Sequence, residues 1–303
     1  MASRIRLVLG LLAALVALPG CTSPAGNLFA RPTPTPTVTP VPPTPTPEPA
    51  AALVNGQPIL LATYTQELAR FEAAQAAVGI DLATLGDYKG QVLQALIDRR
   101  LLAQGASQAG ITVDPMQVDQ RMEDLAAELG STESLAAWLA ATGYSTSGFA
   151  ETLREELLAA QMVERIAGGV PVSADQVHAR HVLVATRDQA DNLVSQIQAG
   201  SDLGQLAAQV SLDLSTRPGG GDLGWFPRGY LWVPEVEDAA FALEPGQSSD
   251  VVESALGFHI VEVLERGERP LSPGALQRLR ELAVEQWLTE QRQTAAIEIY
   301  LTP

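Results

Sequence analysis

The chain has 303 residues, 46% of them hydrophobic and 5% aromatic, which allows two ordinary domains and is typical of a globular protein built on Ala- and Leu-rich helices. Its formal net charge of −16 argues against nucleic acid as a partner, because too few cations are present to neutralise phosphates. One cysteine excludes a disulfide framework within the chain, and with three histidines it leaves little for zinc, so no metal or other cofactor is expected.

Residues 1–21 have the order of a secretory signal. Arg4 and Arg6 precede an apolar run over residues 7–18 that is too short to span a bilayer comfortably. The run ends in LPGC, which places the only cysteine, Cys21, directly after a small residue. This placement resembles a bacterial lipoprotein signal. The resemblance implies that Cys21 is lipidated and anchors an extracytoplasmic protein at the outer face of the cytoplasmic membrane, or elsewhere in the cell envelope.

Residues 22–50 are predicted to be a linker. Over residues 31–50 the sequence reads RPTPTPTVTPVPPTPTPEPA, and alternating proline denies the backbone its donors and favours polyproline II. At about 3.1 Å per residue, twenty such residues reach roughly 60 Å. The linker would therefore hold a domain away from the membrane.

Residues 51–172 are predicted to form a mostly helical domain. Asn55-Gly56 punctuates a short strand or turn over residues 53–59. Asp114 followed by Pro115 is a strong helix start, a capping side chain and then a proline at the first helical position. Apolar spacing predicts helices over residues 63–78, 88–108, 115–129, 132–141 and 147–166.

The tail, residues 268–303, is predicted to return to this helical domain. Ser272 and Pro273 open a helix over residues 274–299, and its apolar stripe needs a partner to cover it. The most economical partner is the first helical segment, so the middle of the chain would be an insertion in a discontinuous domain.

Residues 173–267 change character and predict an α+β module with the order β-α-α-β-α-β-β. Strands are expected over residues 178–185, 222–226, 249–254 and 257–266, and helices over residues 190–197, 203–210 and 234–243. The stretch GGGDLGWFPR, residues 219–228, puts three glycines before an apolar cluster. This favours either a plain turn into a strand or a mobile wall of a pocket.

Two of the three histidines, His181 and His259, interrupt apolar strands. Alternation puts His259 on one face with Val261, and His181 on one face with Leu183. A polar ring in an apolar strand needs a partner, because a buried unsatisfied polar group costs about 1–3 kcal/mol. We therefore expect the two histidines on neighbouring strands, bonded to each other or through a third group.

The ordered set ARHVLV, LAAQVSLD, GGDLGWFPRG, VPEVEDAAFAL and GFHIVEV resembles the parvulin-type peptidyl-prolyl isomerases over residues 176–265. The resemblance implies cis/trans isomerisation of X-Pro bonds in unfolded or partly folded polypeptides. It also implies a catalytic hydrogen-bond network of His181, Asp213, Ser254 and His259. The apolar residues that it implies around the proline ring are Leu223, Phe226, Leu231, Trp232, Val236 and Phe258.

The flanking helices are similar to those of extracytoplasmic foldase lipoproteins and of periplasmic chaperones with parvulin domains. Phosphate-directed parvulins carry a basic cluster after the first strand, where this chain has only Arg187 beside Asp188. Residues 175–266 hold 14 acids against 5 bases, a net charge of −9 that would repel a phosphate. Specificity for phosphorylated substrates is therefore not expected.

Two other interpretations remain open at this point. The chain could be a chaperone that binds unfolded proteins with its helices while its isomerase module is inactive or weakly active. Alternatively, His181, His259 and Asp213 could form a three-ligand metal site.

Overall fold

The computed structural model describes residues 48–301, which belong to one compact unit. The predicted signal, the lipidation site Cys21 and nearly all of the predicted linker lie outside the described residues. Within residues 48–301, no helix combines the length and the apolar character needed to cross a bilayer.

The first part of the described chain is a β-hairpin followed by helices, as predicted. Asn55, with φ 51°, and Gly56, with φ 77°, make the hairpin turn. The predicted start at Asp114 is present as a capping box, in which Asp114 accepts the Met116 N–H and Gln117 bonds back to the cap. The elements are β1 (Ala50–Val54), β2 (Gln57–Leu60), α1 (Leu61–Ala77), α2 (Tyr88–Gln108), α3 (Pro115–Glu128), α4 (Thr132–Ala141) and α5 (Thr146–Gly168).

The middle of the chain forms a four-stranded antiparallel sheet with order β4-β3-β6-β5, and the predicted β-α-α-β-α-β-β order is confirmed. The two central strands, β3 and β6, are longer than predicted because they pair from Ser173 with Pro270 to Val184 with Phe258. The elements are β3 (Ser173–Val184), α6 (Arg187–Gln198), α7 (Leu203–Val210), β4 (Asp222–Pro227), α8 (Pro234–Ala242), β5 (Val252–Ser254) and β6 (Gly257–Pro270).

The tail is a helix, but the prediction that it continues to Ile299 is wrong. The helix α9 (Pro273–Thr294) ends where Ala295 turns extended, and β7 (Ile297–Ile299) follows it. This last strand pairs with β1 and completes a three-stranded sheet of order β2-β1-β7. The edge of β1 therefore supplies the hydrogen bonds that stop the helix.

The helix α9 packs on the helical part of the chain, as the predicted insertion requires. Trp287 lies against Gly105 of α2, where a Cβ would come within 2.6 Å of the indole ring. Nearby, Arg292 makes an ion pair with Asp98 of α2 at 2.7 Å. The chain thus leaves its helical region at α5, forms the sheet, and returns to the same helices through α9.

Each face of the four-stranded sheet has its own apolar core. The helix α8 covers one face, where Val236 and Phe241 pack on Ala179, Val261 and Val263. Helices α6 and α7 cover the other face, whose core is Val182, Val184, Ala190, Leu193, Leu203, Ala207 and Ile260. His181 and His259 belong to the face that α8 covers. His181 is two residues from Ala179 on β3 and His259 is two residues from Val261 on β6, and residues two apart on a strand point to the same face.

The three-glycine stretch is a close packing contact between the loop and the sheet. Gly221 has φ 78°, and a Cβ there would overlap the carbonyl oxygen of His181. The Gly221 carbonyl also accepts the His181 N–H at 2.9 Å. By contrast, the nearest atom to a Cβ on Gly219 is the Cβ of Asp222, at 3.9 Å. Close approach accounts for Gly221, so the expected mobile wall is not needed to explain it.

Replacing Gly221 with alanine should therefore destabilise the fold, because alanine is strained at this φ and would push the loop away from β3. We expect Gly221→Ala to cost about 2 kcal/mol, or roughly 4–8 °C in the midpoint of thermal unfolding. Gly219→Ala, the matched control, should change the midpoint little. Equal effects of the two substitutions would contradict this explanation of Gly221.

Candidate functional site

The pairing of β3 with β6 brings His181 and His259 together. Val261 lies opposite His181 and Leu183 lies opposite His259, so the two histidines are diagonal neighbours on one face. Their rings stack with centroids 5.4 Å apart and planes at 19°, and their Nδ1 atoms are 3.3 Å apart. His259 is completely buried and His181 is 6% exposed, so every ring nitrogen needs a partner within the protein.

Asp213 and Ser254 supply the two remaining partners. Asp213 lies in the loop after α7, which is fixed to β3 by a hydrogen bond from the Leu212 N–H to the Leu183 carbonyl. Its Oδ2 is 2.9 Å from His181 Nε2. Ser254, at the end of β5, places its Oγ 2.7 Å from His259 Nε2. The four residues implied by the resemblance therefore form one continuous chain of hydrogen bonds.

The direction of the donors in this chain follows from Asp213, because a carboxylate only accepts hydrogen bonds and His181 must therefore donate to it from Nε2. The Leu256 N–H donates to Ser254 Oγ at 3.0 Å, so the serine hydroxyl is free to donate to His259 Nε2. A neutral His259 then donates from Nδ1 to His181 Nδ1, and His181 donates from Nε2 to Asp213. All the donors point the same way, and the chain ends on a carboxylate.

Asp213 is held as a carboxylate. Partial burial favours its neutral form, but hydrogen bonds from Ser215, Thr216 and His181 outweigh it and keep the pKa of Asp213 well below its usual range. Thr216 Oγ1 donates to Oδ2 at 2.7 Å, and the Ser215 N–H donates to Oδ1 at 3.0 Å. A carboxylate that accepts this many hydrogen bonds is a stable negative charge and a weak nucleophile.

His259 is held neutral. Burial is the main cause, and the neighbouring His181 adds to it, so that the pKa of His259 falls from 6.5 to about 4. At neutral pH the site therefore has an uncharged imidazole at its centre and a negative charge at one end.

Sequence reasoning missed three hydroxyl residues of this site. Ser215 and Thr216 bind the Asp213 carboxylate, and the completely buried Ser211 accepts the N–H groups of Leu183 and Asp213. The segment SLDLST contained a usable signal, because an Asp followed two and three residues later by Ser and Thr is typical of side chains that bond to a local turn.

An apolar surface lies on the same face of the sheet. Leu223 and Leu231 are half-buried and form its accessible part. Phe226 and Val236 are buried beneath them in the core that α8 covers. These are four of the six residues that the resemblance implies for a proline slot. Leu231 comes from the loop between β4 and α8, so one side of this surface is formed by a loop.

The other two residues are placed elsewhere. Phe258 lies on the opposite face of the sheet, packed on the core under α6 and α7, because it directly precedes His259 and strand neighbours point to opposite faces. Trp232 is 89% exposed and points toward Arg278 of α9, whose Cζ is 5.6 Å from the indole ring. The structure therefore does not bring Phe258 or Trp232 into the apolar surface.

Within the described part of the chain, no group of three or more His, Cys, Asp or Glu side chains is arranged to hold a metal ion. His181 and His259 direct their Nδ1 atoms at each other and their Nε2 atoms at Asp213 and Ser254. Their lone pairs and protons are thus used within the hydrogen-bond chain.

Two protein-family models match the chain. Residues 176–265 match the PPIC-type PPIase domain, and residues 37–163 match the SurA-like N-terminal domain. The first match covers the sheet and its helices, and the second covers the β-hairpin and most of the helical region.

The chain is also similar to curated proteins. The chain is 29% identical to the foldase protein PrsA of Halalkalibacterium halodurans over 222 residues, which are 64% of this chain and 66% of the relative. It is 36% identical to the chaperone SurA of Alkalilimnicola ehrlichii over 157 residues, 46% of this chain and 36% of the relative. Among solved structures, a PrsA peptidylprolyl isomerase of Bacillus anthracis is 23% identical with a TM-score of 0.45, covering 70% of this chain and 99% of the other.

The neutral, buried state of His259 makes the folded protein sensitive to acid. Between pH 6.5 and about 4 the unfolded chain binds a proton at this histidine and the folded chain does not. Stability is complete above this window and falls as the pH drops through it, by up to about 1.4 kcal/mol per pH unit from this one group. Denaturant unfolding of the wild type and of His259→Gln, measured from pH 7.5 to 4.5, should show a shallower pH dependence in the variant.

His178→Gln is the control for this measurement. His178 lies on β3 with Asp222 as its partner, outside the hydrogen-bond chain of His181 and His259. We expect its pH dependence to follow the wild type. Parallel curves for the wild type and His259→Gln would contradict the assignment of a neutral His259.

Proposed function

We propose that this chain, which contains a PPIC-type peptidyl-prolyl cis-trans isomerase domain and a SurA-like N-terminal domain, catalyses isomerisation of X-Pro bonds in unfolded or partly folded polypeptides. The observation that carries the proposal is the chain Ser254–His259–His181–Asp213 on the face of the sheet where the half-buried Leu223 and Leu231 lie over the buried Phe226 and Val236. We propose domain boundaries at residues 51–172, 173–267 and 268–303.

The reaction requires modest stabilisation of a twisted amide. Amide resonance sets a rotational barrier of about 18–20 kcal/mol, and the uncatalysed X-Pro bond turns over in tens to hundreds of seconds. A thousandfold acceleration needs only about 4 kcal/mol of preferential binding to the transition state. An apolar surface for the pyrrolidine ring and a fixed electrostatic field at the carbonyl are together suited to this task.

In this proposal Asp213 acts through its field and not by attack on the carbonyl. Its oxygens already accept hydrogen bonds from Ser215, Thr216 and His181, so the carboxylate is stable and poorly nucleophilic. The fixed charge and the aligned donors of the histidine pair act on the twisting peptide without reorganising during the reaction.

Substrates without phosphate fit the charges of this domain. Its 14 acids and 5 bases over residues 175–266 give a net charge of −9. Arg187, the first residue of α6 and the single base that directly follows β3, lies 4.0 Å from Asp191 on the same helix. An anionic substrate would therefore meet repulsion and little compensating positive charge.

We further propose that the protein works outside the cytoplasm, tethered through a lipid on Cys21. The supporting sequence features are the charged and apolar segment that precedes Cys21, and the proline-rich stretch over residues 31–50. The substrates would then be secreted or cell-envelope proteins that fold near the membrane.

A second candidate function is the binding of unfolded proteins by the helical region. A cleft of about 1040 Å³ lies between β2, α2 and α5, away from the histidine pair. Its lining mixes apolar and charged side chains, including Leu96, Leu158, Arg100 and Glu155. A cleft of this kind favours a peptide segment with both apolar and polar side chains over one small apolar ligand. In this second proposal, the binding of unfolded chains accompanies the isomerase activity or dominates it.

The isomerase activity is tested with a proline tetrapeptide and the full chain. We expect the wild type to accelerate isomerisation above the uncatalysed rate. Asp213→Ala should lower kcat/KM by about tenfold or more, because the fixed charge at the amide is lost. The control is Asp222→Asn, which removes a carboxylate of the same domain that contacts His178 instead of the histidine pair.

A folded wild-type chain that gives no rate above background would overturn the isomerase proposal. If that chain still suppressed aggregation of an unfolded protein, the chaperone function would take its place. Equal losses in Asp213→Ala and Asp222→Asn would instead remove the specific role given to Asp213.

The anchor is tested by Cys21→Ser expressed in a bacterium that makes lipoproteins. We expect the wild type in the membrane fraction and the variant in the soluble extracytoplasmic or secreted fraction, since serine cannot carry the thioether-linked lipid. Equal membrane association of both forms would contradict lipid anchoring at Cys21.

A further inference from the structure

A buried carboxylate holds the loop that forms one side of the apolar surface. Glu237, in the first turn of α8, is 8% exposed. Its Oε1 accepts the Gly229 N–H at 2.7 Å, and its Oε2 accepts the Tyr230 and Leu231 N–H groups at 3.0 and 3.1 Å. Three consecutive backbone N–H groups therefore point at one side chain.

The three backbone hydrogen bonds compensate for the burial of the Glu237 carboxylate. Acidic side chains are almost never buried without a partner, and in residues 48–301 no Lys, Arg or His lies within ion-pair distance of Glu237. The backbone N–H groups take the place of a cation, because hydrogen bonds to a carboxylate are shorter and stronger than those between neutral groups. The loop backbone of residues 229–231 is thus fixed by this one residue.

The helix α9 supports the same loop from its outer side. Gly229 has φ 82°, and a Cβ there would lie 2.7 Å from Leu282 Cδ1 and 3.4 Å from Leu279 Cδ2. Beside these leucines, Arg278 faces the ring of Trp232. The loop is therefore enclosed between α8 and α9, and α9 is itself packed on the helical region.

We propose that Glu237 is a positioning residue of the isomerase, which fixes the loop so that Leu231 forms a rigid wall for the substrate's proline ring. The proposal rests on the proposed function, since the wall matters only if the apolar surface binds proline. Leu282 contributes from outside by limiting how far the loop can move from the sheet. A side chain on a loop is positioned precisely for binding only when the backbone of the loop is held in place by its surroundings.

Glutamine at position 237 cannot reproduce these contacts. It keeps one acceptor oxygen but turns the other into an NH₂ group that faces an N–H donor. Whichever way the amide is turned, at least one of the Gly229, Tyr230 and Leu231 N–H groups then loses its partner, and the loop is released. The loss falls on substrate binding and leaves Asp213 and the histidine pair in place.

The test is steady-state kinetics of the full chain on the proline tetrapeptide, well below the unfolding temperature. We expect Glu237→Gln to raise KM about tenfold with kcat within about twofold, the pattern of lost uniform binding. In ¹H–¹⁵N spectra the amide protons of Gly229, Tyr230 and Leu231 should move upfield as the carboxylate is lost. Glu244→Gln, the same change at an exposed position after α8, should leave KM and these amides unchanged.

Leu282→Ala is the second variant, since a half-buried leucine can be shortened without unfolding α9. It should raise KM in the same direction, and the double variant should show less than the product of the two effects because both act on one loop. If the wild type is active and Glu237→Gln leaves KM unchanged, this inference alone is overturned. If Glu237→Gln does not fold, an unchanged KM in Leu282→Ala overturns it instead. An inactive wild type overturns the proposed function, and this inference with it.

Discussion

The complete burial of His259 is the constraint on which the rest of the site depends. An imidazole removed from water must have both ring nitrogens paired, because an unpaired buried polar group costs about 1–3 kcal/mol. One nitrogen meets Ser254 at 2.7 Å and the other meets His181 at 3.3 Å. Both contacts exist only if β5, β6 and β3 keep their register, since a shift by one residue would turn His259 to the opposite face.

The same burial separates charge along the hydrogen-bond chain. His259 stays neutral because its pKa is lowered to about 4, while hydrogen bonds keep Asp213 ionised despite its partial burial. The negative charge therefore lies at the half-buried Asp213 end of the chain, and the completely buried His259 behind it is neutral. Such an arrangement is preorganised, since its charge and its hydrogen-bond donors are already fixed in the folded protein.

The apolar side of the site depends on parts that are far apart in the sequence. Phe226 and Val236 belong to the core under α8, whereas Leu231 belongs to a loop held by Glu237 and supported by α9. Because α9 is also packed on α2 and carries the ion pair of Arg292 with Asp98, the helical region is connected through α9 to the loop that contains Leu231. The inserted arrangement of the chain makes this connection possible.

The sequence by itself determined the elements and their order. Helix starts at Asp114-Pro115 and Ser272-Pro273, and the two histidines on apolar strands, depend on local spacing that can be read without the fold. Strand alternation could also have excluded Phe258, which lies next to His259 and so faces the other core. Only the tertiary structure decided the strand β7 and the role of Glu237. A three-residue strand forms only where β1 offers an edge, and a buried carboxylate is tolerated only where a loop turns its N–H groups toward it.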